Sequence, residues 1–288
     1  MKKKRALISG GQGFVGLLLA AKLRKLGWEV CSERFDVADP NAVRDLGAPG
    51  VDVVFHLASP TDVAACEKDP GLAFRVMVDG TINLLAQSNP KARFVLASSS
   101  MVYAEPLEGE HVLDESWTVG PTTNYGRAKL QAERLVEHWG KTSGSDHYLL
   151  RNFPHTHQSQ MASRFLRRLK ESLEQTSPSG KLILDQNLLC QGRDIGAVCD
   201  LVDALVLLAN ANIAPGVYNV ASGRARKLGR LAEIMAGELG REIEFSKKAA
   251  APVNSYCGSI GKLSRALGFV PSIRTDEELV KYYLQPEA

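Results

Sequence analysis

A chain of 288 residues with 44% hydrophobic and 23% charged side chains can bury a large core, as one big domain or as one domain with a smaller companion. The net charge of +3, with no long like-charged run beyond Lys2-Lys3-Lys4-Arg5, argues against a dedicated polyanion binder, so no nucleic-acid partner is expected. That basic start leads into Ala6-Leu7-Ile8-Ser9, too short for a secretory signal. No stretch approaches about 18 uninterrupted apolar residues, and the five cysteines are scattered without a CxxC, so the expectation is a protein of the reduced cytoplasm with no membrane span and no metal site.

In chain order, short β-branched or apolar runs alternate with helical patterns over the first two thirds, which predicts a parallel sheet wrapped by helices. Strands are expected at Arg5 to Ser9, Glu29 to Glu33, Val51 to Leu57, Arg93 to Ser98 and His147 to Arg151. Helices are expected near Gly13 to Lys25, Asn41 to Asp45, Pro70 to Gln87 and Asn124 to Trp139. In the helix from Pro70, the residues Phe74, Met77, Val78, Thr81, Leu84 and Leu85 recur at three-four spacing, so one face is buried. After Arg151 the pattern loosens: His155 to Gln160 reads as loop and Ser177-Pro178-Ser179-Gly180 as a turn. An apolar helix from Ala197 to Ala211, a strand at Gly216 to Val220 and a helix from Leu228 to Leu239 follow. The expected fold is an α/β doubly wound parallel sheet with a smaller C-terminal lobe assembled from about residues 155–190 and 222–288.

Directly behind the first strand, Ser9-Gly10-Gly11-Gln12-Gly13-Phe14-Val15-Gly16 sets Gly10, Gly13 and Gly16 at GxxGxxG spacing with a helix opening after them. Strand, turn and helix in that order make a phosphate cradle. Gly10 permits the tight turn, Gly13 lets the backbone approach a pyrophosphate, and Gly16 lets the helix pack on the sheet, with Phe14 and Val15 in its first turn. A plain tight turn is the alternative. The second strand would end near Glu33-Arg34, with Arg34 18 positions beyond Gly16, where dinucleotide folds usually place an acid on the ribose. Arg34 would instead pair a 2′-phosphate bidentately, which favours NADP(H) over NAD(H); the adjacent Glu33 could serve the ribose hydroxyl and keeps NAD(H) open. Asp36-Val37-Ala38-Asp39 either receives an adenine amino group through a carboxylate and a backbone amide or forms an Asx turn capping the next helix.

Tyr125-Gly126-Arg127-Ala128-Lys129 puts Tyr125 and Lys129 four apart on one helix, so they share a face, and the ammonium is expected to lower the phenol pKa toward neutrality. A phenol tuned this way gives or takes a proton from a carbinol or carbonyl. The serine-rich strand end Ala97-Ser98-Ser99-Ser100 precedes the pair by about 26 residues. A chance spacing on an ordinary helix is the alternative.

Taken in order, Gly10 to Gly16, Asp36 to Asp39, His56-Leu57-Ala58-Ser59, Gly80-Thr81-Ile82-Asn83-Leu84-Leu85, Ser98-Ser99-Ser100-Met101-Val102-Tyr103 and Tyr125 to Lys129 resemble the motifs of extended short-chain dehydrogenases/reductases. Leu150 to Thr156, Gly192-Arg193-Asp194, Gly216 to Gly223 and Leu267 to Pro271 look like the substrate-binding half of the nucleotide-sugar members in the NAD-dependent epimerase/dehydratase group. The nearest pattern is that of GDP-4-keto-6-deoxymannose reductases and dTDP-sugar 4-ketoreductases. The resemblance implies a Rossmann-type NAD(P)-binding domain from residues 1–154 and about 191–221, with the smaller lobe binding substrate. It implies Ser99, Tyr125 and Lys129 as catalytic residues, Ser99 bonding the substrate carbonyl, Tyr125 donating the proton and Lys129 holding the nicotinamide ribose. Leu57, Ala58 and Ser59 would line the cofactor, whereas His56 reads better as a packed strand-end residue. Ser100, Asn152, His155 and Arg193 are implied as substrate contacts, Arg193 through the diphosphate or else as a surface partner of Asp194. In relatives the helices at Pro70 to Gln87 and Asn124 to Trp139 form a dimer through a four-helix bundle, so a homodimer is expected.

Three departures bear on the substrate. Met77 stands where members usually have Asn, Pro154 replaces the Asn that meets the sugar nucleotide, and Ala251 precedes Pro252 where an Arg often grips diphosphate. The basic run Arg164, Arg167, Arg168 and Lys170 in the smaller lobe either attracts an anionic nucleotide or is a solvated helix face. The resulting expectation is an NADP(H)-dependent ketoreductase acting on C4 of a nucleotide-linked 4-keto-6-deoxy sugar. The alternatives are an NAD-dependent nucleotide-sugar 4-epimerase and a catalytically inactive dinucleotide-binding sensor or scaffold.

Overall fold

The computed structural model describes residues 3–46, 50–160, 164–177, 179–246 and 252–285; Lys2, Pro178 and Ala251 lie outside them. The strands up to the middle of the chain are β1 (Arg5–Ser9), β2 (Glu29–Cys31), β3 (Val53–His56), β4 (Arg93–Ser99), β5 (Gly109–Leu113), β6 (His147–Asn152) and β7 (His155–Thr156). The remainder are β8 (Lys181–Leu184), β9 (Gln191–Asp194), β10 (Gly196–Ala197), β11 (Gly216–Val220), β12 (Ala225–Lys227), β13 (Glu242–Phe245) and β14 (Asn254–Gly258). Helices are α1 (Phe14–Lys25), α2 (Pro40–Asp45), α3 (Val63–Lys68), α4 (Pro70–Phe74), α5 (Gly80–Gln87) and α6 (Asn124–Ser143). After them come α7 (Phe165–Gln175), α8 (Val198–Asn210), α9 (Leu228–Glu238), α10 (Gly261–Leu267) and α11 (Asp276–Leu284).

Six strands in the order β11-β6-β4-β3-β1-β2 form one sheet in which every pairing is parallel. Such a sheet is buried on both faces, which is why Val53 to His56 and Tyr148 to Arg151 read as continuous buried runs. One face packs on Leu19 and Leu23 of α1 and Leu201, Leu205 and Leu208 of α8; the other packs on Leu84 of α5 and Ala132 and Val136 of α6. The chain leaves β1 to one side for β2 and returns to the other for β3. That reversal opens a crevice at the carboxyl ends of β1 and β3, where ligands of such sheets bind.

The smaller lobe holds a four-stranded sheet, β12-β9-β14-β5, a parallel pair β8-β13, and an apolar core between α7, α9 and α11 that includes Leu169, Leu173, Leu231, Met235, Leu279 and Tyr283. Two of its strands come from segments expected with the first domain: β5 pairs in parallel with β14, and so does β9. Asp194, at the end of β9, is fully buried and accepts the amides of Ser222 at 2.8 Å, Gly223 at 3.0 Å and Gly258 at 3.1 Å. It is therefore no surface partner for Arg193. The loop expected over His155 to Gln160 begins instead with β7, which pairs with β10, and the Gly196 amide donates to the Pro154 carbonyl at 2.9 Å. The helix expected over Pro70 to Gln87 is continuous but widens into a π turn at Arg75–Asp79.

Helix α6 is fixed by both ends and by its middle. Thr123 caps it, accepting from the Gly126 amide at 3.1 Å, and Gly144 ends it in the left-handed region at φ 70°. A Cβ at Gly126 would collide with the Met101 carbonyl, so glycine is what lets the first turn of α6 lie against the turn that follows β4. In the middle, Glu133 accepts from Ser98 Oγ at 2.5 Å, Arg151 Nε at 3.1 Å and Arg151 Nη2 at 2.8 Å. The two charged side chains are 4% and 6% exposed, and the Arg151 guanidinium lies 4.7 Å from the centre of the Tyr103 ring. Tyr103 Oη in turn donates to Asn219 on β11 at 2.6 Å, and Asn219 Nδ2 donates to the Leu113 carbonyl at the end of β5. One polar chain thus joins α6, three strands of the main sheet and the edge of the smaller one.

Removing one partner of a buried ion pair leaves the other charge without compensation, so Glu133→Ala is expected to lower unfolding stability by about 3–5 kcal/mol in guanidinium titration. On the same helix, breaking the exposed pair of Lys141 and Glu137 is expected to cost less than about 1 kcal/mol. A loss at Glu133 as small as that would show that the pair does not hold the helix.

Candidate active site

The crevice begins with the glycine turn behind β1. Gly10 has φ 71°, and a Cβ there would stand 2.8 Å from the Ala58 amide nitrogen, so the turn presses onto the exit of β3. Gly13 precedes α1 in extended conformation and gives it no side-chain cap. The first-turn amides, from Phe14 through Val15 and Gly16, are therefore left for an anion, and the helix dipole favours one there. At the exit of β2, Gln12 Nε2 donates to the Ser32 carbonyl and Arg24 Nη2 to Ser32 Oγ. Beyond Ser32, Arg34 is exposed and meets no carboxylate among the described residues, while Glu33 turns back to accept from the Cys31 thiol at 3.8 Å. Of the two readings of Asp36 to Asp39, capping is realised: Asp36 accepts from Ala38 N, and Asp39 caps α2 through Asn41 N. Val37 is buried, and its carbonyl accepts from Asn83 on α5.

At the exits of β3 and β4 the serines are sorted by direction. Ser98 points to Glu133, Ser100 enters a short 3-10 turn, and Ser99 lies beside Tyr125. The hydroxyls of Ser59 and Ser99 stand close enough to the Tyr125 phenol to act on it, and Ser99 Oγ accepts from the Met101 amide at 3.2 Å. Behind the phenol stands an apolar wall of Cys66, Ala73, Met77 and Ala128, so Met77 in the π turn packs where an Asn was expected from the family pattern. This wall decides the electrostatics. Burial raises the phenol pKa above its ordinary value, against the opposing pulls of the Ser59 hydroxyl, the Arg164 charge and the Ser99 hydroxyl.

The expected depression of the phenol by Lys129 is thus not what the fold produces. Lys129 Nζ donates to the Ala97 carbonyl at 2.7 Å and sits 5.9 Å from the centre of the Tyr125 ring. Its own pKa is pushed down to about 8 by burial, with Glu133 pulling the other way. His56, held between Ser9 Oγ at 2.7 Å and Thr81 Oγ1 at 3.0 Å, is driven down to about 3 by burial and then by the Lys129 charge. It is a neutral strut, and Ser9 Oγ passes the connection on to the Ala58 amide. Leu57 and Ala58 lie half-buried on opposite faces of the sheet beside the cradle.

Opposite this group, Asn152 lies in register with Ser99 on the neighbouring strand and donates to the Ser98 carbonyl at 3.3 Å, with its side-chain oxygen buried and unpartnered. His155 is lowered to about 4 by burial, and its ring lies 5.8 Å from that of Phe14, so the segment after β6 reaches back over the cradle. Pro154 is exposed. Arg193 is committed elsewhere: Nη1 donates to the Gly192 and Asn254 carbonyls, both at 2.8 Å, and the guanidinium lies over Tyr256 at 4.7 Å. Glu133 and Arg164 were not singled out at this site from the sequence, although Glu133 continues the four-residue spacing of Tyr125 and Lys129 by one more step. Among the described residues no group of three His, Cys, Asp or Glu converges, and no helix is long and apolar enough to cross a membrane.

Over 96% of its length the chain is 29% identical to GDP-6-deoxy-D-mannose reductase of Pseudomonas aeruginosa, covering 95% of that protein. Over 99% of its length it is 28% identical to UDP-glucuronic acid decarboxylase 1 of Xenopus tropicalis, covering 73% of it. Among solved structures, that of RMD from Pseudomonas aeruginosa complexed with NADPH matches with a TM-score of 0.85 at 28% identity, over 98% of this chain and 96% of that one. The match to a family runs from within β1 to just past β11: by residues 6–221, this chain belongs to the NAD dependent epimerase/dehydratase family.

Proposed function

We propose that this protein is an NADP(H)-dependent ketoreductase that reduces the C4 keto group of a nucleotide-linked 4-keto-6-deoxy sugar, with Tyr125 as the proton donor. The carrying observation is the cluster at the strand exits, where the hydroxyls of Ser59 and Ser99 stand beside the Tyr125 phenol, next to Lys129 and the glycine cradle. Residue chemistry fits the cofactor. The uncapped start of α1 suits a pyrophosphate, and Arg34, with Glu33 turned away, suits a 2′-phosphate. The NADPH complex of RMD supports the same choice. Bound there, NADPH supplies the hydride.

The chain's own part is to hold and move a proton. Ser99 Oγ donates to the carbonyl oxygen, and Tyr125 gives up its phenol proton as charge develops there. A phenol raised above its ordinary pKa by burial stays protonated at neutral pH, which suits a donor and works against a base. The phenolate left behind would be costly in an apolar wall, and the Lys129 ammonium with the Ser59 hydroxyl offsets that cost. A second reading, an NAD-dependent epimerase that regenerates its cofactor each cycle, would use the same three residues, but its oxidative half needs the phenolate.

Purified protein with NADPH and a panel of nucleotide 4-keto sugars is expected to oxidise the cofactor with at least one of them; oxidation with none, in either direction, would sink the proposal, and tightly retained NAD would favour the epimerase. Tyr125→Phe is expected to lower turnover by about 100-fold or more while NADPH affinity changes less than about threefold. Near-normal turnover would remove Tyr125 from the mechanism. Because the mechanism needs Lys129 charged and its pKa is about 8, kcat/KM for reduction is expected to be level below that pH and to fall above it, by about tenfold per unit. A profile level to about pH 10 would show that the Lys129 charge is not used.

A further inference from the structure

His56 holds no proton that the reduction needs, yet a row of four hydrogen bonds runs through its ring. Their directions are fixed from one end. Thr81 has a single hydroxyl proton, and it goes to the Met77 carbonyl at 2.5 Å. Thr81 Oγ1 is then left only to accept from the ring at 3.0 Å, so His56 Nε2 carries the imidazole proton. In the neutral ring Nδ1 remains as an acceptor, and Ser9 Oγ donates to it at 2.7 Å. Ser9 Oγ in turn accepts from the Ala58 amide at 3.3 Å. Every bond therefore points one way, from the Ala58 amide to the Met77 carbonyl, and Ser9, His56 and Thr81 are at most 1% exposed.

The ends of this line lie at the two halves of the site. At Ala58 the glycine turn comes so near that a Cβ on Gly10 would stand 2.8 Å from the amide nitrogen. At Met77 the line meets the middle of the π turn, in which the Gly80 amide reaches five residues back to the Arg75 carbonyl. Such turns are rare and recur at functional sites. The Thr81 hydroxyl pins this one at its centre, and the Met77 side chain stands with Cys66, Ala73 and Ala128 in the wall on which Tyr125 packs. Regular α-helix in its place would rotate the residues before the turn by about 100° relative to those after it. Ala73 and Met77 could not then face the phenol while Thr81 and Leu84 face the sheet.

We infer that Ser9, His56 and Thr81 are positioning residues for the reduction, an assignment that rests on the ketoreductase reading and adds the groups that hold its proton donor. Their one-way line ties the π turn, and with it the wall behind Tyr125, to the glycine cradle, so that the phenol and the cofactor are held in one frame.

Thr81→Val keeps the shape of the side chain and removes the hydroxyl, whereas Thr81→Ser keeps the hydroxyl. Ionisation of Tyr125, followed as tyrosinate absorbance in each background with and without Tyr125→Phe, reports on the wall in the absence of any substrate. In Thr81→Val the loosened wall admits water, so the Tyr125 midpoint is expected to fall toward the ordinary tyrosine value; in Thr81→Ser it is expected to stay in place. Lys129, Arg164 and Cys66, the charged and titratable groups beside the phenol, are untouched by either change. Ser9→Ala cuts the line at its other end and is expected to move the midpoint the same way, and the double variant no further than Thr81→Val alone, because both cut one line. With a keto sugar that the unaltered protein reduces, Thr81→Val is expected to lower kcat about tenfold while NADPH affinity changes less than about threefold, and Thr81→Ser to restore kcat. A midpoint unmoved in Thr81→Val and Ser9→Ala, shifts in the two that add, or a Thr81→Ser as impaired as Thr81→Val overturns the inference even if NADPH is oxidised by a keto sugar. If Thr81→Val does not fold, Ser9→Ala decides by the same midpoint. Midpoints that behave as expected, with no oxidation of NADPH by any keto sugar, would instead overturn the ketoreductase reading and leave the line holding Tyr125 for another reaction.

Discussion

Glu133 is a carboxylate almost closed to water, with Arg151 forked onto it and Ser98 completing its shell. A single carbonyl would not hold such a group; a bidentate guanidinium does, and it also fixes direction. The direction is what matters. It locks the rotation of α6 about its axis relative to β4 and β6, and since Tyr125, Lys129 and Glu133 repeat every four residues, the face that carries the phenol is set by the residue that carries the ion pair. Arg151 passes the constraint on through Tyr103 and Asn219 to β11 and β5, so the geometry of the phenol is tied to the seating of the smaller lobe.

Around that anchor the charges are arranged by burial more than by neighbours. Lys129 is driven toward neutrality, His56 is kept uncharged, and Tyr125 is kept protonated, all by the same scarcity of water. Burial thus keeps the imidazole and the phenol uncharged at neutral pH, while the Lys129 ammonium beside the phenol titrates at about 8.

What could be read from the sequence was local. Gly10 to Gly16 announces a strand, a turn and a helix within one short segment, and the spacing of Tyr125 and Lys129 needs only the helix that contains both. Strand β5 could not be read, because in Gly109 to Leu113 only Leu113 is buried, and a half-exposed edge strand with Glu110 and His111 in it carries no apolar run. The pairing of Glu133 with Arg151 was hidden because charged residues read as surface until the fold brings two distant ones together. The direction of the Tyr125 shift was misread for a related reason: the i, i+4 rule supplies Lys129, but the wall of Cys66 and Met77 comes from other helices and outweighs it. Likewise the run Arg164 to Lys170 looked uniform, but Arg167 pairs with Glu171 and Lys170 with Glu174 along the helix, while Arg164 reaches the Thr61 carbonyl.

Asp194 and the sheet around it also bear on how the chain can be assembled. The four strands β5, β9, β12 and β14 come from widely separated stretches, and the middle position next to β5 is taken by the last of them to be synthesised. On a growing chain β5 is made long before β14, its neighbour in the sheet, and Gly258 is the last made of the three residues whose amides meet the Asp194 carboxylate. The smaller lobe is therefore closed late, by contacts of high sequence separation, onto a crevice already built from local βα units. Loss of the C-terminal segment would strip β5 of its partner and expose an open strand edge.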